Sequence, residues 1–478
     1  MKRNLWGVGL AMLTAGSSVQ AMVIDEATFT YYGGSTADVP NSIKTGNDKL
    51  RAFSYEEPWL VVGNLGSCTA TWLGDKDGWS YVLTAAHCFG YQATETAVNL
   101  TLTLPDGVVA ASGAGTAYVP QERIKIPPGM GRASTDIAIL KLPLRKAMLN
   151  AAGRPVERPI LNDSLDEKGL DVIYVGYGSW GVGLNGSGAY QPAKGERRLY
   201  GRSRIDSIFE RDYGMSASYQ PVGPSAFWAR LSPGDSGSAW WQMRNLKPVI
   251  IATSYGITDT NTIGARVAKY ASWIKSIYPE ARFLSSEQPQ GCIVSVANGA
   301  RYCLPAGQSA GYSLPSWIIG QDVYVDAAPG TAVKLSDYDN LSYGRVAKFV
   351  GSVENASLKK IKADNGQMLD FSRPRSMSVI ADATPLGCIV SLTSGTEYCL
   401  PGGQRAGYAL PPRIYGQEVQ VQAAPGLAVK LSDYENLSYN RVATFPGVVQ
   451  NWELRDVKAW DGQNHDFSRP HSMEVVQQ

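Results

Sequence analysis

The sequence predicts an all-β protein, and three observations support this fold class. Short runs of β-branched and aromatic residues recur along the chain, for example at residues 69–73, 81–84 and 248–253, and glycine and aspartate turns separate them. The 50 glycines, 27 prolines and 25 tyrosines favour short strands joined by turns over long helices. Helical character is confined to residues 268–277, which end before Pro279. Spaced short strands of this kind indicate β-barrels or β-sandwiches.

Length and composition indicate several folded domains. The chain has 478 residues, enough for about three domains of roughly 150 residues each. Hydrophobic residues make up 44% and charged residues 18% of the chain, which is typical of a protein with buried cores. The net charge is +2, and the Lys and Arg residues form no block. We therefore expect no nucleic-acid partner.

The N-terminus has the pattern of a secretory signal peptide. Two basic residues precede an apolar run at residues 5–15, and Val19 and Ala21 provide the small residues of a cleavage site. The apolar run is too short for a membrane span, and no later stretch reaches about 18 apolar residues. We therefore predict a signal peptide at residues 1–21, a secreted protein and no membrane span.

The six cysteines fit the oxidising destination of a secreted protein. They form three local pairs with sequence separations of 20, 11 and 11 residues: Cys68 with Cys88, Cys292 with Cys303, and Cys388 with Cys399. Local pairing is the interpretation we adopt, and each closed loop would stabilise the fold by about 3 kcal/mol. No pair has the four-ligand spacing of a zinc site, so we predict neither a metal nor a cofactor.

The C-terminal part of the chain is a tandem duplication. Three strings occur twice with the same offset of 96 residues: GCIVS from 291 and 387, LSDY from 335 and 431, and FSRP from 371 and 467. A period of this length indicates two tandem domains rather than a solenoid. We place small β-rich domains, of Greek-key or sandwich type, at residues 291–380 and 387–476, after a linker at 284–290. Residues 431–441 resemble a βγ-crystallin strand pair, although the calcium-binding motif of that family is not apparent.

A candidate nucleophile lies in the GDSG string at residues 234–237. Gly234 lets the backbone turn tightly and leaves its amide free to face a reacting oxygen. The Ser236 hydroxyl needs a base, and His87 is the one of the three histidines that precedes the repeats. Asp136, which opens an apolar strand-like run, is the candidate acid that orients this base.

These residues lie in three strings that together resemble the catalytic motifs of the chymotrypsin/trypsin family: TAAHC at 84–88, DIAIL at 136–140 and GDSG at 234–237. The order His, Asp, Ser, with separations of 49 and 100 residues, fits this family and excludes the subtilisin and α/β-hydrolase orders. The resemblance implies a double six-stranded antiparallel β-barrel, which we assign to residues 45–283. Residues 22–44 are then an N-terminal segment and possible propeptide.

The resemblance also implies a function, that of a secreted serine endopeptidase acting on protein or peptide substrates through an acyl-enzyme. His87 would be the general base, Asp136 would orient it, and Ser236 would attack the carbonyl. The amides of Gly234 and Ser236 would form the oxyanion hole. The edge that pairs with the substrate backbone would be Ser254, Tyr255 and Gly256.

Three departures from the family pattern affect activation and specificity. The family's activation string is missing, so the sequence leaves open whether the protein is a zymogen. By the resemblance, a cut after Lys44, or alternatively after Arg51, would free an amine for Asp235, the acid of the activation pocket. Ser232 stands where the family usually has a cysteine. Arg230 occupies the pocket position at which trypsin-like enzymes carry an acid. An arginine there is incompatible with binding Lys or Arg and could favour an acidic side chain, or it could turn outward.

Two alternatives remain open from the sequence. The barrel domain could be a catalytically inactive, protease-like scaffold in a binding or adhesion protein, although the intact triad argues against this. The repeats could tether the enzyme to a surface, a glycan or a substrate. They could equally serve as a spacer or a stability module.

Overall fold

The computed structural model of the protein describes residues 22–90, 93–125, 135–150, 153, 155–183, 197–220, 228–244 and 247–478. The predicted signal peptide lies outside these residues. The described residues form 35 strands and four α-helices, which confirms the all-β fold class. None of the helices among them is long and apolar enough to cross a membrane.

An N-terminal strand and two helices precede the barrels. Strand β1 spans Val23–Ile24, helix α1 spans Glu26–Tyr31 and helix α2 spans Val39–Ser54. The prediction that helix is confined to residues 268–277 is therefore wrong. The buried face of α2 is made largely of small and polar residues, so the apolar period that predicts a helix is weak there: Ile43, Gly46, Asn47, Leu50 and Ser54.

The first barrel is closed and has six strands. In chain order they are β2 (Val62–Asn64), β3 (Thr69–Lys76), β4 (Trp79–Thr84), β5 (Glu95–Thr103), β6 (Val109–Tyr118) and β7 (Ala138–Pro143). Around the barrel their order is β2-β3-β4-β7-β6-β5. Because Thr84 pairs with Ala138 across β4 and β7, the segment after β4 lies beside the segment before β7.

The second barrel also closes through six strands. The strands of this half are β8 (Ile160–Leu161), β9 (Asp171–Gly176), β10 (Gly181–Val182), β11 (Leu199–Phe209), β12 (Gly214–Ser218), β13 (Ala229–Arg230), β14 (Ala239–Arg244), β15 (Lys247–Ile257), β16 (Asn261–Arg266) and β17 (Arg282–Phe283). The ring runs β14-β9-β11-β12-β16-β15 and closes by pairing β14 with β15, all antiparallel. Strands β10 and β13 instead flank β1 in a small separate sheet. The predicted pair of six-stranded antiparallel barrels is confirmed.

Two short helices complete this half of the chain. Helix α3 spans Gln121–Ile124 and lies between β6 and β7. Helix α4 spans Ala271–Ile277 and follows the second barrel, which agrees with the helix predicted before Pro279.

The two repeats have the same strands in the same order. The first contains β18 (Gln290–Ser295), β19 (Arg301–Pro305), β20 (Val323–Ala327), β21 (Thr331–Ser336), β22 (Val346–Val350), β23 (Ser352–Val353), β24 (Ile361–Lys362), β25 (Met368–Leu369) and β26 (Ser376–Ala381). The second contains β27 (Leu386–Ser391), β28 (Glu397–Pro401), β29 (Val419–Ala423), β30 (Leu427–Ser432), β31 (Val442–Pro446), β32 (Val448–Val449), β33 (Val457–Lys458), β34 (Asn464–His465) and β35 (Ser472–Gln477). Each copy packs a four-stranded sheet on a three-stranded sheet and adds one two-stranded hairpin.

Each repeat has an apolar core of its own, and the second repeat is also packed against the barrel domain. Five buried residues of the second repeat belong to the same continuous apolar core as the barrels: Leu386, Cys388, Val390, Leu392 and Cys399. Buried polar contacts cross the same interface. The Trp59 indole donates to the Thr393 carbonyl (2.7 Å), and the Tyr200 hydroxyl donates to the Leu392 carbonyl (2.9 Å). The second repeat is thus a separate domain with a buried interface to the barrel domain.

Candidate active site

The barrel architecture brings His87 and Asp136 together. His87 lies in the turn that follows β4, and Asp136 lies just before β7, so the pairing of these two strands sets the two residues side by side. The His87 Nδ1 lies 2.7 Å from Asp136 Oδ2, and the His87 backbone amide donates to Asp136 Oδ1 at 2.9 Å. Asp136 is fully buried, while the His87 side chain is about a third exposed. One buried carboxylate therefore fixes both the backbone and the ring of the histidine.

A buried arginine stands behind this pair. The Arg123 guanidinium, on α3, lies 3.6 Å from Asp136 Oδ2, and both side chains are almost completely buried. Sequence reasoning missed Arg123, because its local pattern resembles that of any charged residue on a short helix. Its place beside Asp136 depends on how the segment between β6 and β7 folds.

The turn that carries Ser236 is braced by the first barrel. Ser236 is half-buried and precedes β14 of the second barrel. The Thr69 amide on β3 donates to the Ser236 carbonyl (2.8 Å), and the Thr69 hydroxyl donates to the Gly234 carbonyl (2.9 Å). The nearby Cys68–Cys88 disulfide joins the start of β3 to the turn that carries His87. The nucleophile turn and the histidine turn are therefore held by the same strand.

Two glycines of this turn cannot be replaced without disturbing it. Gly234 has φ +102° and Gly237 has φ +82°, a region that favours glycine. A Cβ on Gly237 would lie 2.1 Å from the Thr84 hydroxyl and 2.4 Å from the Thr69 carbonyl. The turn is thus pressed directly against the end of β4, next to the histidine.

Asp235 is a buried carboxylate that binds two backbone amides. The amide of Gly178 donates to its Oδ1 (2.9 Å) and the amide of Ser232 donates to its Oδ2 (3.1 Å). Burial raises the pKa of Asp235 to about 7, because two amide hydrogen bonds do not offset the loss of water. Lys44 and Arg51, the predicted activation sites, both lie inside α2. Cleavage at either bond requires this helix to open.

Strand β1 leads towards Asp235. Val23 is opposite Gly181 in a parallel pairing and opposite Arg230 in an antiparallel pairing. Extending both registers by one residue sets Met22 beside Leu231, next to the Ser232 amide that holds Asp235. Met22 itself is 1% exposed. The start of the described chain is therefore buried in the barrel domain.

The predicted substrate edge lies on β15, close to His87. The Tyr255 ring meets the His87 ring edge to face, with centroids 6.0 Å apart. The Ser254 carbonyl accepts from the Gly237 amide (3.0 Å), and its hydroxyl is 2.9 Å from that of Ser238. Gly256 follows on the same strand. The nucleophile turn and the substrate edge are thus hydrogen-bonded to each other.

Arg230 turns inward rather than towards solvent. Its side chain is 5% exposed, and the guanidinium lies over the Tyr219 ring at 5.8 Å from the centroid. Burial lowers its pKa. The outward orientation that the sequence left open is not adopted.

All three predicted disulfides are present. They join Cys68 to Cys88, Cys292 to Cys303 and Cys388 to Cys399. None of the six cysteines is free.

A pair of six-stranded antiparallel barrels is the architecture of a trypsin-like protease domain. Comparison with family models agrees: residues 48–274 match the Trypsin family, and residues 291–380 and 387–476 each match the Beta/Gamma crystallin family. The chain thus contains one trypsin-family domain followed by two βγ-crystallin domains.

Several known proteins are similar to parts of the chain. Metalloprotease StcE of Escherichia coli O157:H7 is 61% identical over 97 residues, which is 20% of this chain and 11% of StcE. A solved Glu endopeptidase structure has 16% identity, covers 48% of this chain and 94% of its own, and has a TM-score of 0.32. An HL collagenase structure has 14% identity, coverages of 47% and 96%, and a TM-score of 0.31. The chain spans about a ninth of the length of StcE.

Proposed function

We propose that this protein is a secreted serine endopeptidase with two C-terminal β modules. The observation that carries the proposal is the hydrogen-bonded pair of His87 and Asp136, set against a Ser236 turn that the same barrel braces. Three disulfides support an oxidising destination outside the cytoplasm. Protein or peptide chains are the substrates that this domain class implies.

The proposed mechanism assigns one step to each group. His87 takes the proton of the Ser236 hydroxyl as its oxygen attacks the peptide carbonyl, and then gives that proton to the leaving amine. Asp136 accepts a hydrogen bond from Nδ1 of His87, which fixes the tautomer and stabilises the imidazolium. The amides of Gly234 and Ser236 hold the oxyanion, and each lost donor would cost about 3 kcal/mol. Water activated by His87 then hydrolyses the acyl-enzyme.

Labelling with a sulfonyl fluoride tests this proposal. The mature protein should be labelled at Ser236, and Ser236→Ala should abolish both labelling and peptide hydrolysis. Ser276→Ala, at an exposed serine on α4, is the matched control and should change neither. An unlabelled, correctly folded wild-type protein would favour the alternative, an inactive protease-like binding or adhesion protein.

Exposed tyrosines support a tethering role for the repeats. Each copy exposes the same three tyrosines at the offset of 96: Tyr312, Tyr338 and Tyr343 in the first, and Tyr408, Tyr434 and Tyr439 in the second. In each copy two of the rings meet edge to face, at 5.2 and 5.0 Å between centroids. Their loops hold Leu341 and Leu437 at φ 50°, a conformation that costs of order 1–3 kcal/mol and recurs at ligand-binding loops.

We propose that these tyrosine clusters bind a glycan on a surface or a substrate, since aromatic rings with a polar edge suit the faces of sugar rings. Binding to an immobilised glycan array should be lost in Tyr343→Ala/Tyr439→Ala while peptide hydrolysis is kept. Val296→Ala/Val448→Ala removes two other exposed side chains of the repeats and is the control. If the wild-type protein binds no glycan, or if the tyrosine variant binds as well as the valine variant, the repeats are a spacer or a stability module instead.

A further inference from the structure

Arg230 differs from the other buried arginines because its guanidinium has no hydrogen-bonding or ionic partner among the described residues. Five arginines are at most 5% exposed: Arg123, Arg198, Arg202, Arg230 and Arg266. Four of them lie against carboxylates or backbone carbonyls, for example Arg202 on Glu418 at 3.2 Å and Arg198 on the Ser54 carbonyl at 2.9 Å. Within the described part of the chain, Arg230 makes no hydrogen bond or ion pair, and its Nε is buried without a partner.

A second buried donor on the same strand is also without a partner. The Ser232 hydroxyl is buried and has no hydrogen-bond partner among the described residues. Residues two apart on an extended segment point to the same side. Arg230 and Ser232 therefore direct two unpaired donors to one side of the segment that leads to Ser236.

The segment that carries these donors is joined to the hairpin of the predicted substrate edge. Ala229, the neighbour of Arg230, contacts the opposite side, where a Cβ on Gly201 would lie 2.5 Å from its own Cβ. The Leu231 amide donates to the Thr262 hydroxyl on β16 (2.9 Å), which joins this segment to the β15–β16 hairpin. The first strand of that hairpin carries Ser254. The two donors thus lie on a segment that is hydrogen-bonded to the hairpin of the predicted substrate edge and that leads to Ser236.

Among the described residues, no carboxylate forms an ion pair with the Arg230 guanidinium, and Asp235 binds the backbone amide of Ser232 but not its hydroxyl. Asp259, at the tip of the hairpin, is exposed and attracts Arg230 without forming an ion pair with it. A buried cation that lacks a partner is strongly unfavourable, and a charged hydrogen-bonding partner relieves this cost. A substrate carboxylate would accept from the guanidinium and from the Ser232 hydroxyl at once.

We propose that Arg230 and Ser232 form the side-chain pocket for the residue before the scissile bond, and that this pocket selects glutamate or aspartate. The inference rests on the proposed endopeptidase function and names its substrate class. A lysine or arginine side chain is rejected, because it would set a second cation beside a desolvated guanidinium. A neutral glutamine has the same shape as glutamate but forms only neutral hydrogen bonds.

The test compares otherwise identical peptides that carry Glu, Gln, Phe or Lys before the cleaved bond. We expect kcat/KM for Glu to exceed that for Gln by roughly 100-fold, the range of a buried charged hydrogen bond. Arg230→Met should bring the Glu/Gln ratio close to one. Ser232→Ala should lower it several-fold, and the exposed Arg145→Met should leave it unchanged.

Labelling of Ser236 by a neutral sulfonyl fluoride, measured on the same samples, separates the two proposals. Unlabelled wild-type protein would overturn the endopeptidase function itself. Labelled protein that cleaves after Gln, Phe or Lys as well as after Glu would overturn the acidic pocket alone. If Arg230→Met does not fold, the wild-type ratio and the Ser232→Ala ratio decide, and an unchanged ratio in Ser232→Ala would remove that residue from the pocket.

Discussion

Replacement of Glu418 by glutamine tests whether the second repeat is bound to the barrel domain by a buried charge cluster. The Glu418 side chain is 4% exposed and lies 3.2 Å from Arg202 of the barrel domain. Arg455 (2.8 Å) and Arg469 (2.6 Å) of its own repeat bind the same carboxylate. Burial alone would raise the pKa of Glu418, but the three arginines outweigh it and lower the pKa to about 2.

The size of the effect follows from this pKa. A fall from 4.5 to about 2 corresponds to about 3 kcal/mol of stability at neutral pH. Glu418→Gln removes the charge and leaves three arginines around an amide, so we expect the free energy of unfolding to fall by about that amount. For a cooperative unit of this size, the loss lowers Tm by about 4 °C. Calorimetry at pH 7 measures it.

The duplication supplies a matched control. Asp322 occupies the corresponding position of the first repeat, where it pairs with Arg373, and both side chains are well exposed. Exposed pairs contribute little, so Asp322→Asn should leave Tm unchanged. Equal Tm values for the two variants would refute the reasoning.

The pH dependence gives a second check. Because the folded-state pKa of Glu418 is lowered, its contribution is complete above about pH 4.5 and is lost as the pH falls towards 2. The unfolding free energies of wild type and Glu418→Gln should therefore converge near pH 2. A difference that persists there would show that the glutamine acts through packing rather than charge.

Three further predictions concern the catalytic pair, the mature N-terminus and the second repeat. Arg123→Met should lower kcat roughly tenfold with KM nearly unchanged, because Asp136 loses the neighbouring guanidinium that holds it in place. Arg123→Lys should restore part of the rate. A lower Tm without a change in kcat would contradict this positioning role. Mass spectrometry of the active, secreted protein should find Met22 at the N-terminus, since cleavage after Lys44 or Arg51 would cut α2. An active form that begins at Thr45 or Ala52 would instead show that the residues before it are a propeptide. Removal of the second repeat, from residue 384 onwards, should lower Tm and promote aggregation, because it exposes Trp59, Tyr200 and the apolar core around them. A truncated protein with wild-type Tm and activity would show that the second repeat acts only as a tether or spacer.

The pairing of His87 with Asp136 and the two barrels could be predicted from the sequence because their signals are local. His87, Asp136 and Ser236 each lie in a short string whose neighbours suit one kind of turn or strand, and the order of the strings fits the family whose resemblance implied the two barrels. The tandem repeats could also be predicted, since the same strings recur in the sequence at an offset of 96 residues.

Other parts of the site and fold depend on contacts between distant segments. Arg123 reaches Asp136 only through the fold of the chain between two strands. On the buried face of helix α2, Gly46 and Asn47 lie between Ile43 and Leu50, so hydrophobic periodicity reveals this helix only weakly. Whether Arg230 turns inward could not be decided from its position before Ser236, because its burial is set by Tyr219 and the hairpin beyond it. The packing of the second repeat on the barrels likewise has no sequence signal, because its strands match those of the first.

The position of β1 has a practical consequence for producing the protein. Val23 and Ile24 are fully buried between two strands, and Met22 is 1% exposed. An affinity tag or vector-derived residues left ahead of Met22 would be joined directly to a buried residue of the barrel domain. Tags placed after Gln478, which is exposed, avoid this conflict. Preparations that differ only in the end at which the tag is attached should therefore differ in specific activity.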